Sequence, residues 1–189
     1  MNKLITTLVI AALSSTALLA GAYNVDTSHS NIGFKVKHMM ISNVIGKFDK
    51  FSGSFEYDEK TNTLKELSGT IKVDSINTAN QKRDAHLKSA ELFNADKFPE
   101  IKFVLQKTDS EYAYGTLTMH GVTKDVKLNL ENNGMVKDPW GNTRVGLELT
   151  GKLSRKDYGI TWNTVLEAGG VAVGDTIKLD IQIEGILAK

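Results

Sequence analysis

The chain has no cysteine, so no disulfide framework is available and the fold must be held by packing and sheet hydrogen bonds. Nor does it carry an excess of either charge. The 23 basic and 22 acidic side chains become equal in number once Lys3 is set aside with the N-terminal segment described below. That neutrality argues against nucleic acid as a partner and against strong electrostatic adhesion to anionic membranes. Close-spaced metal ligands are also missing: His29, His38, His86 and His120 occur singly, and no metal is expected. No G-x-S-x-G elbow exists for a serine hydrolase, and His29-Ser30 is adjacency rather than a triad. Gly169-Gly170 with Gly174 lacks the residues that complete a phosphate cradle, and reads as a turn between the last two strands.

What is present starts with the layout of a secretory signal peptide over Met1 to Ala22: one positive charge at Lys3, an apolar run from Leu4 to Leu19, then the small residues Ala20-Gly21-Ala22. The run is interrupted by Ser14, Ser15 and Thr16 and is short for a bilayer of about 30 Å, which favours a cleaved leader over an anchor. No cysteine follows to accept a lipid. The mature chain is expected to be residues 23–189, one ordinary soluble domain.

Period-two alternation dominates that domain. From Ile177 to Glu184 every odd position is apolar and every even one polar, the pattern of a strand with one dry face. Similar alternation runs through Ile32, Phe34 and Val36, through Ile101, Phe103 and Leu105, and through Val145, Leu147, Leu149 and Leu153. Further strands are expected at Phe51 to Tyr57, Ser68 to Asp74, Tyr112 to His120 and Val126 to Glu131. Turn chemistry separates them at Asp58 to Asn62, Asn132-Asn133-Gly134 and Asp138 to Gly141. One segment, Asn80 to Phe93, predicts a helix, with Thr78 and Asn80 as capping candidates.

The expected class is all-β with one short helix, either a sandwich or a sheet of about eight strands closed into a barrel, and closure removes exposed edges. The inward set mixes rings (Phe34, Phe51, Phe55, Phe103) with glycines (Gly53, Gly151). On pattern alone that fits a filled, tapered core or an apolar tube.

Several local patterns are more particular: Asp26 to Ser30, Gly46-Lys47-Phe48, Arg83 to Leu87, Phe98 to Phe103, Met119 to Thr123, Asp138 to Gly141, Arg155 to Ile160 with Trp162-Asn163, and Val173-Gly174-Asp175. In this order, from Tyr23 to near the C-terminus, the chain resembles the YceI family of exported polyisoprenoid-binding proteins. The resemblance implies a lipocalin-like antiparallel β-barrel in the periplasm, with no cofactor. Its partner would be a long amphiphile, an isoprenoid or fatty-acid-like lipid, held without catalysis; transient membrane contact and a homodimer are compatible with it.

Under that reading the interior set is Phe34, Val36, His38, Phe48, Phe51, Phe55, Ile71, Val73, Leu87, Phe93, Phe103, Leu117, Met119, Leu147 and Trp162. Arg83, Asp84 and His86, at the start of the expected helix, are candidates for holding a polar head group, or else for docking the helix on the rim. His38 falls in phase with Ile32, Phe34 and Val36, as a head-group ligand or a satisfied interior histidine. Two other classes stay open: an enzyme using His38 or His86 as base with Arg83 stabilising negative charge, and a filled barrel serving as an envelope scaffold.

Overall fold

The computed structural model describes residues 20–167 and 169–189, so the expected leader lies outside the described residues except for its last three. The strands are β1 (Gly21–Val25), β2 (Asn31–His38), β3 (Ser42–Phe48), β4 (Phe51–Asp58), β5 (Thr63–Lys72), β6 (Ile76–Asn77), β7 (Glu100–Thr108), β8 (Tyr112–Met119), β9 (Val122–Lys137), β10 (Thr143–Ser154) and β11 (Val173–Leu187). The helix α1 (Gln81–Lys88) lies between β6 and β7.

Three pairs of these strands are long strands broken at one level of the wall. Both β1 and β2 run antiparallel to β11, with Val25 opposite Gly185 and Asn31 opposite Gln182. Beside them β3 and β4 form the next line, Phe48 opposite Ile32 and Ser54 opposite Asn24, and β5 with β6 forms the third. Eight antiparallel strands therefore close into a barrel, β11 pairing with β10 on one side and with β1 and β2 on the other.

The alternation read from the sequence sets the wall. Along β11, Ile177, Leu179, Ile181 and Ile183 turn inward while Lys178, Asp180 and Gln182 are exposed; along β8, Ala113, Gly115, Leu117 and Met119 are buried in alternation. Inward glycines receive rings from neighbouring strands. A Cβ on Gly46 would come within 2.3 Å of the Phe34 ring, and one on Gly185 within 2.3 Å of Phe55. That is why β3, whose alternation is interrupted by Gly46, escapes a reading based on apolar side chains.

Two expectations need correction. The helix stops at Lys88 rather than Phe93: Asn80 caps its start, accepting from the Arg83 N–H at 3.1 Å, but the chain then coils so that Leu92 and Phe93 drop toward the barrel. Asn132-Asn133-Gly134 is no turn but a β-bulge inside β9, where the partner register on β10 slips between Gly146 and Leu147.

Packing divides the interior. At the closed end, which holds the β4–β5 and β9–β10 turns, Tyr23 stacks on Phe55 at 5.1 Å and meets Tyr57 edge-on, within a cluster that includes Leu64, Val145 and Leu147. At the other end, under α1, Phe48, Val73, Ile76, Leu92, Ile101, Met119, Tyr158 and Ile160 pack together. An apolar hollow remains, lined by members of both clusters.

Candidate functional site

The hollow consists of two apolar cavities of about 80 and 130 Å³. Ile32, Ile71, Leu117, Leu179 and Ile181 line both, so they form the ring at which the two meet. Each exceeds several times the space of about 10–15 Å³ that one water requires. Their walls are almost wholly carbon, so water has nothing there to bond to.

Ten of the residues expected inside do line this space. Phe51 and Phe103 belong to the deeper cavity, Ile71 and Leu117 to the ring, and Phe34, Val36, Phe48, Leu87, Phe93 and Met119 to the cavity beneath α1. The other five lie elsewhere. Phe55 and Leu147 are consumed by the closed-end cluster, and Val73 by the packing under α1. Trp162 sits half-buried at the rim, its ring edge-on to His86 at 4.7 Å. His38 is exposed: it ends β2 one pleat beyond Val36, where the barrel interior has already run out.

The head-group trio is also redirected. Arg83 donates from Nε to Thr78 Oγ1 at 2.7 Å and from Nη2 to Thr78 O at 2.8 Å. Asp84 accepts from the Thr78 N–H at 2.9 Å and from its hydroxyl at 2.6 Å. Both therefore tie α1 to the segment before it. His86 Nε2 lies 3.0 Å from Glu91 Oε2 and does not line either cavity. His29 and His120 stabilise turns, the first 2.9 Å from Asp26 and the second 3.0 Å from the Tyr158 carbonyl.

Asp26, His29 and Glu184 place a ligand atom each within 4.8 Å of one another. Arg144 already supplies the positive charge there, its Nη1 donating to both carboxylates.

A family model described as a YceI-like domain matches residues 23–185. The chain belongs to this family. A UPF0312 protein of Staphylococcus aureus is 37% identical over 163 residues, covering 86% of this chain and 95% of that protein. The crystal structure of the Campylobacter jejuni YCEI protein is 37% identical with a TM-score of 0.69, over 87% of this chain and 96% of that one. A polyisoprenoid binding domain from Saccharophagus degradans, 16% identical, has a TM-score of 0.69 over 90% of this chain and 99% of that one, and so shares the fold.

Within this YceI-like barrel, the polar group at the cavity that the sequence did not single out is Arg155. Its side chain is 4% exposed, and it lines the cavity beneath α1. Its donors go to the carbonyls of Gly174, Ile160, Trp162 and Val173 and to Asp175 Oδ1 at 3.1 Å. Burial lowers its pKa from the usual guanidinium value, and Asp175 opposes that shift. Saturated in this way, it fastens the 155–162 segment to the start of β11. Ile32, Leu179 and Ile181 were missed as site residues although their phase, read on β2 and β11, already points them inward.

Proposed function

We propose that this protein is an exported, non-catalytic carrier that sheathes the tail of a long-chain amphiphile in its barrel. The observation that carries the proposal is the apolar hollow on either side of one ring of side chains. Unfilled apolar volume is destabilising by about 24 cal/mol per Å³, so the 130 Å³ cavity alone costs about 3 kcal/mol. A filled core would recover that energy, and so would a ligand.

The lining runs along β11 from Val173 to Ile183. At about 3.3 Å per residue and a tilt of about 40°, this is a tube of roughly 25 Å. That exceeds one leaflet, about half of the 30 Å hydrocarbon core, and suits a long apolar tail, isoprenoid or acyl. Burial of a methylene from water is worth about 0.8 kcal/mol, but a lipid tail in a membrane is already dry. Transfer into the tube is thus close to balanced, which is what reversible loading requires. The Saccharophagus relative supports the same ligand class by its name alone.

A catalytic reading built on His38, His86 and Arg83 finds no support in the geometry, since none of the three lines the cavity. Native mass spectrometry of protein purified without detergent, followed by incubation of stripped protein with a polyprenyl phosphate, tests the carrier reading. A long-chain adduct is expected in both; empty protein that takes up nothing would reject it.

A further inference from the structure

The end of the barrel that carries α1 has a lip, the β2–β3 turn, whose sequence is at odds with its backbone. Met39 and Met40 occupy the centre of the β2–β3 turn with φ of 48° and 63°, and the turn is closed by the Ile41 N–H donating to His38 O at 3.2 Å. Two left-handed residues in succession call for Asn-Gly or a similar pair. The β8–β9 turn at the same end of the barrel uses His120-Gly121, at 52° and 75°. Two methionines there are conformationally unfavourable, and they are not tucked away: Met39 is 43%, Met40 56% and Ile41 84% exposed. The opposing loop adds Val165, 80% exposed, and is tied to the hairpin through the Met39 N–H, which donates to Ala172 O at 2.8 Å.

Acidic groups are few around this lip, and Asp175 at the start of β11 is already paired with Arg155 and Lys156. No carboxylate occurs between Asp26 and Asp49, whereas Lys35, Lys37 and Lys47 do. Lys47 pairs with Asp49, and among the described residues Lys35 and Lys37 have no carboxylate within salt-bridge distance. The facing loop from Gly159 to Ala172 holds one acid, Glu167. Overall neutrality therefore conceals a basic, apolar edge, and the strands that bear it also supply Val36 and Val173 to the cavity wall.

We propose that this lip docks on the surface of an anionic lipid bilayer, with Met39, Met40, Ile41 and Val165 entering the interface and Lys35 and Lys37 facing the lipid phosphates. The inference rests on the carrier reading for its purpose, since Val36 and Val173 of this edge line the cavity, but not for its chemistry.

Co-sedimentation with phosphatidylcholine vesicles, with and without one quarter phosphatidylglycerol, tests it alongside uptake of a fluorescent long-chain fatty acid from solution. The double variant Met39→Asn/Met40→Gly suits the turn, so its fold is retained. It should lose vesicle binding by about tenfold or more while fatty-acid uptake persists. Lys35→Gln/Lys37→Gln should weaken binding severalfold on the anionic vesicles alone, and salt should mimic it. Undiminished sedimentation of the methionine variant would overturn the proposal. So would absence of vesicle binding in a protein whose dimer the same variant dissolves, because a second copy would then be the occupant. Vesicle binding without any lipid uptake would uphold the lip and reject the carrier.

Discussion

The two ends of the barrel are built from the same alternating strands, yet one is plugged by stacked aromatic rings and the other encloses the larger of the two cavities. At the closed end, three aromatic residues arrive from adjacent lines of the wall, and Tyr23, Phe55 and Tyr57 are 1%, 2% and 0% exposed. Toward the lip, inward positions carry Ile32, Ile177, Leu179 and Ile181, all only partly buried because they face space rather than each other. Alternation decides which way a residue points. Whether the interior fills depends on the sizes that meet across it.

The sharpest way to break that contrast is to truncate one side chain at each end. Phe55→Ala removes a ring from a close-packed stack and should destabilise by about 3–5 kcal/mol. Ile181→Ala, facing an existing void, should fall at or below the low end of the usual range, about 2 kcal/mol. Urea unfolding of both, in protein stripped of lipid, measures the difference. Equal losses would mean that the tube is as tightly packed as its floor.

A smaller effect comes from filling the hollow. At Gly69 an added Cβ would meet nothing nearer than Ser52 O at 3.8 Å, while the inward Gly53 would meet Ser68 O at 2.7 Å. Gly69→Leu should therefore be accommodated, project into the deeper cavity and shorten the tube. The expected outcome is stability unchanged or raised by about 1 kcal/mol, with mass spectra showing a shift to shorter bound chains. Unaltered ligand length would place the tail somewhere other than this cavity.

Strand phase was legible beforehand, whereas the pattern alone left a filled core and an apolar tube both open, for identifiable reasons. Most of the wall and the helix follow from periodicity and turn chemistry, because the pleat leaves a period-two trace wherever one face is dry, but β1, β3 and β6 were not read. The trace fails at Gly46, where the side chain filling the site belongs to Phe34 on another strand. It also misleads at His38, whose phase is inward but whose level is beyond the barrel. Phase is local, and depth along the tube is set by shear and closure, which no single strand records. Arg155 was seen only as part of a motif, since its carbonyl partners come from Ile160, Trp162, Val173 and Gly174 in three dimensions.

The last contrast is electrostatic and lies on the outer wall near the floor. Arg144 donates to Asp138 through Nε at 2.8 Å and to Asp26 through Nη1 at 2.8 Å, and also bonds Glu184, bracing the break between β1 and β2 against β10 and β11. Its guanidinium is the largest cause holding both the Asp26 and Asp138 carboxyls well below the ordinary range, with His29 helping the first and Asn142 the second. A carboxyl whose folded pKa lies below its unfolded value of about 3.9 contributes stability that is fully present well above that value and is lost as pH falls through and below it. Arg144→Gln should thus lower the melting temperature at pH 7, and the gap from the parent protein should close as the pH is taken from about 5 toward about 2. Arg144 lies at the far end of the barrel from the lip, so Arg144→Gln should leave vesicle docking at pH 7 unchanged. Thermal melts across the pH series and co-sedimentation at pH 7 separate the two ends; a melting gap that stays constant with pH would reduce Arg144 to a packing residue.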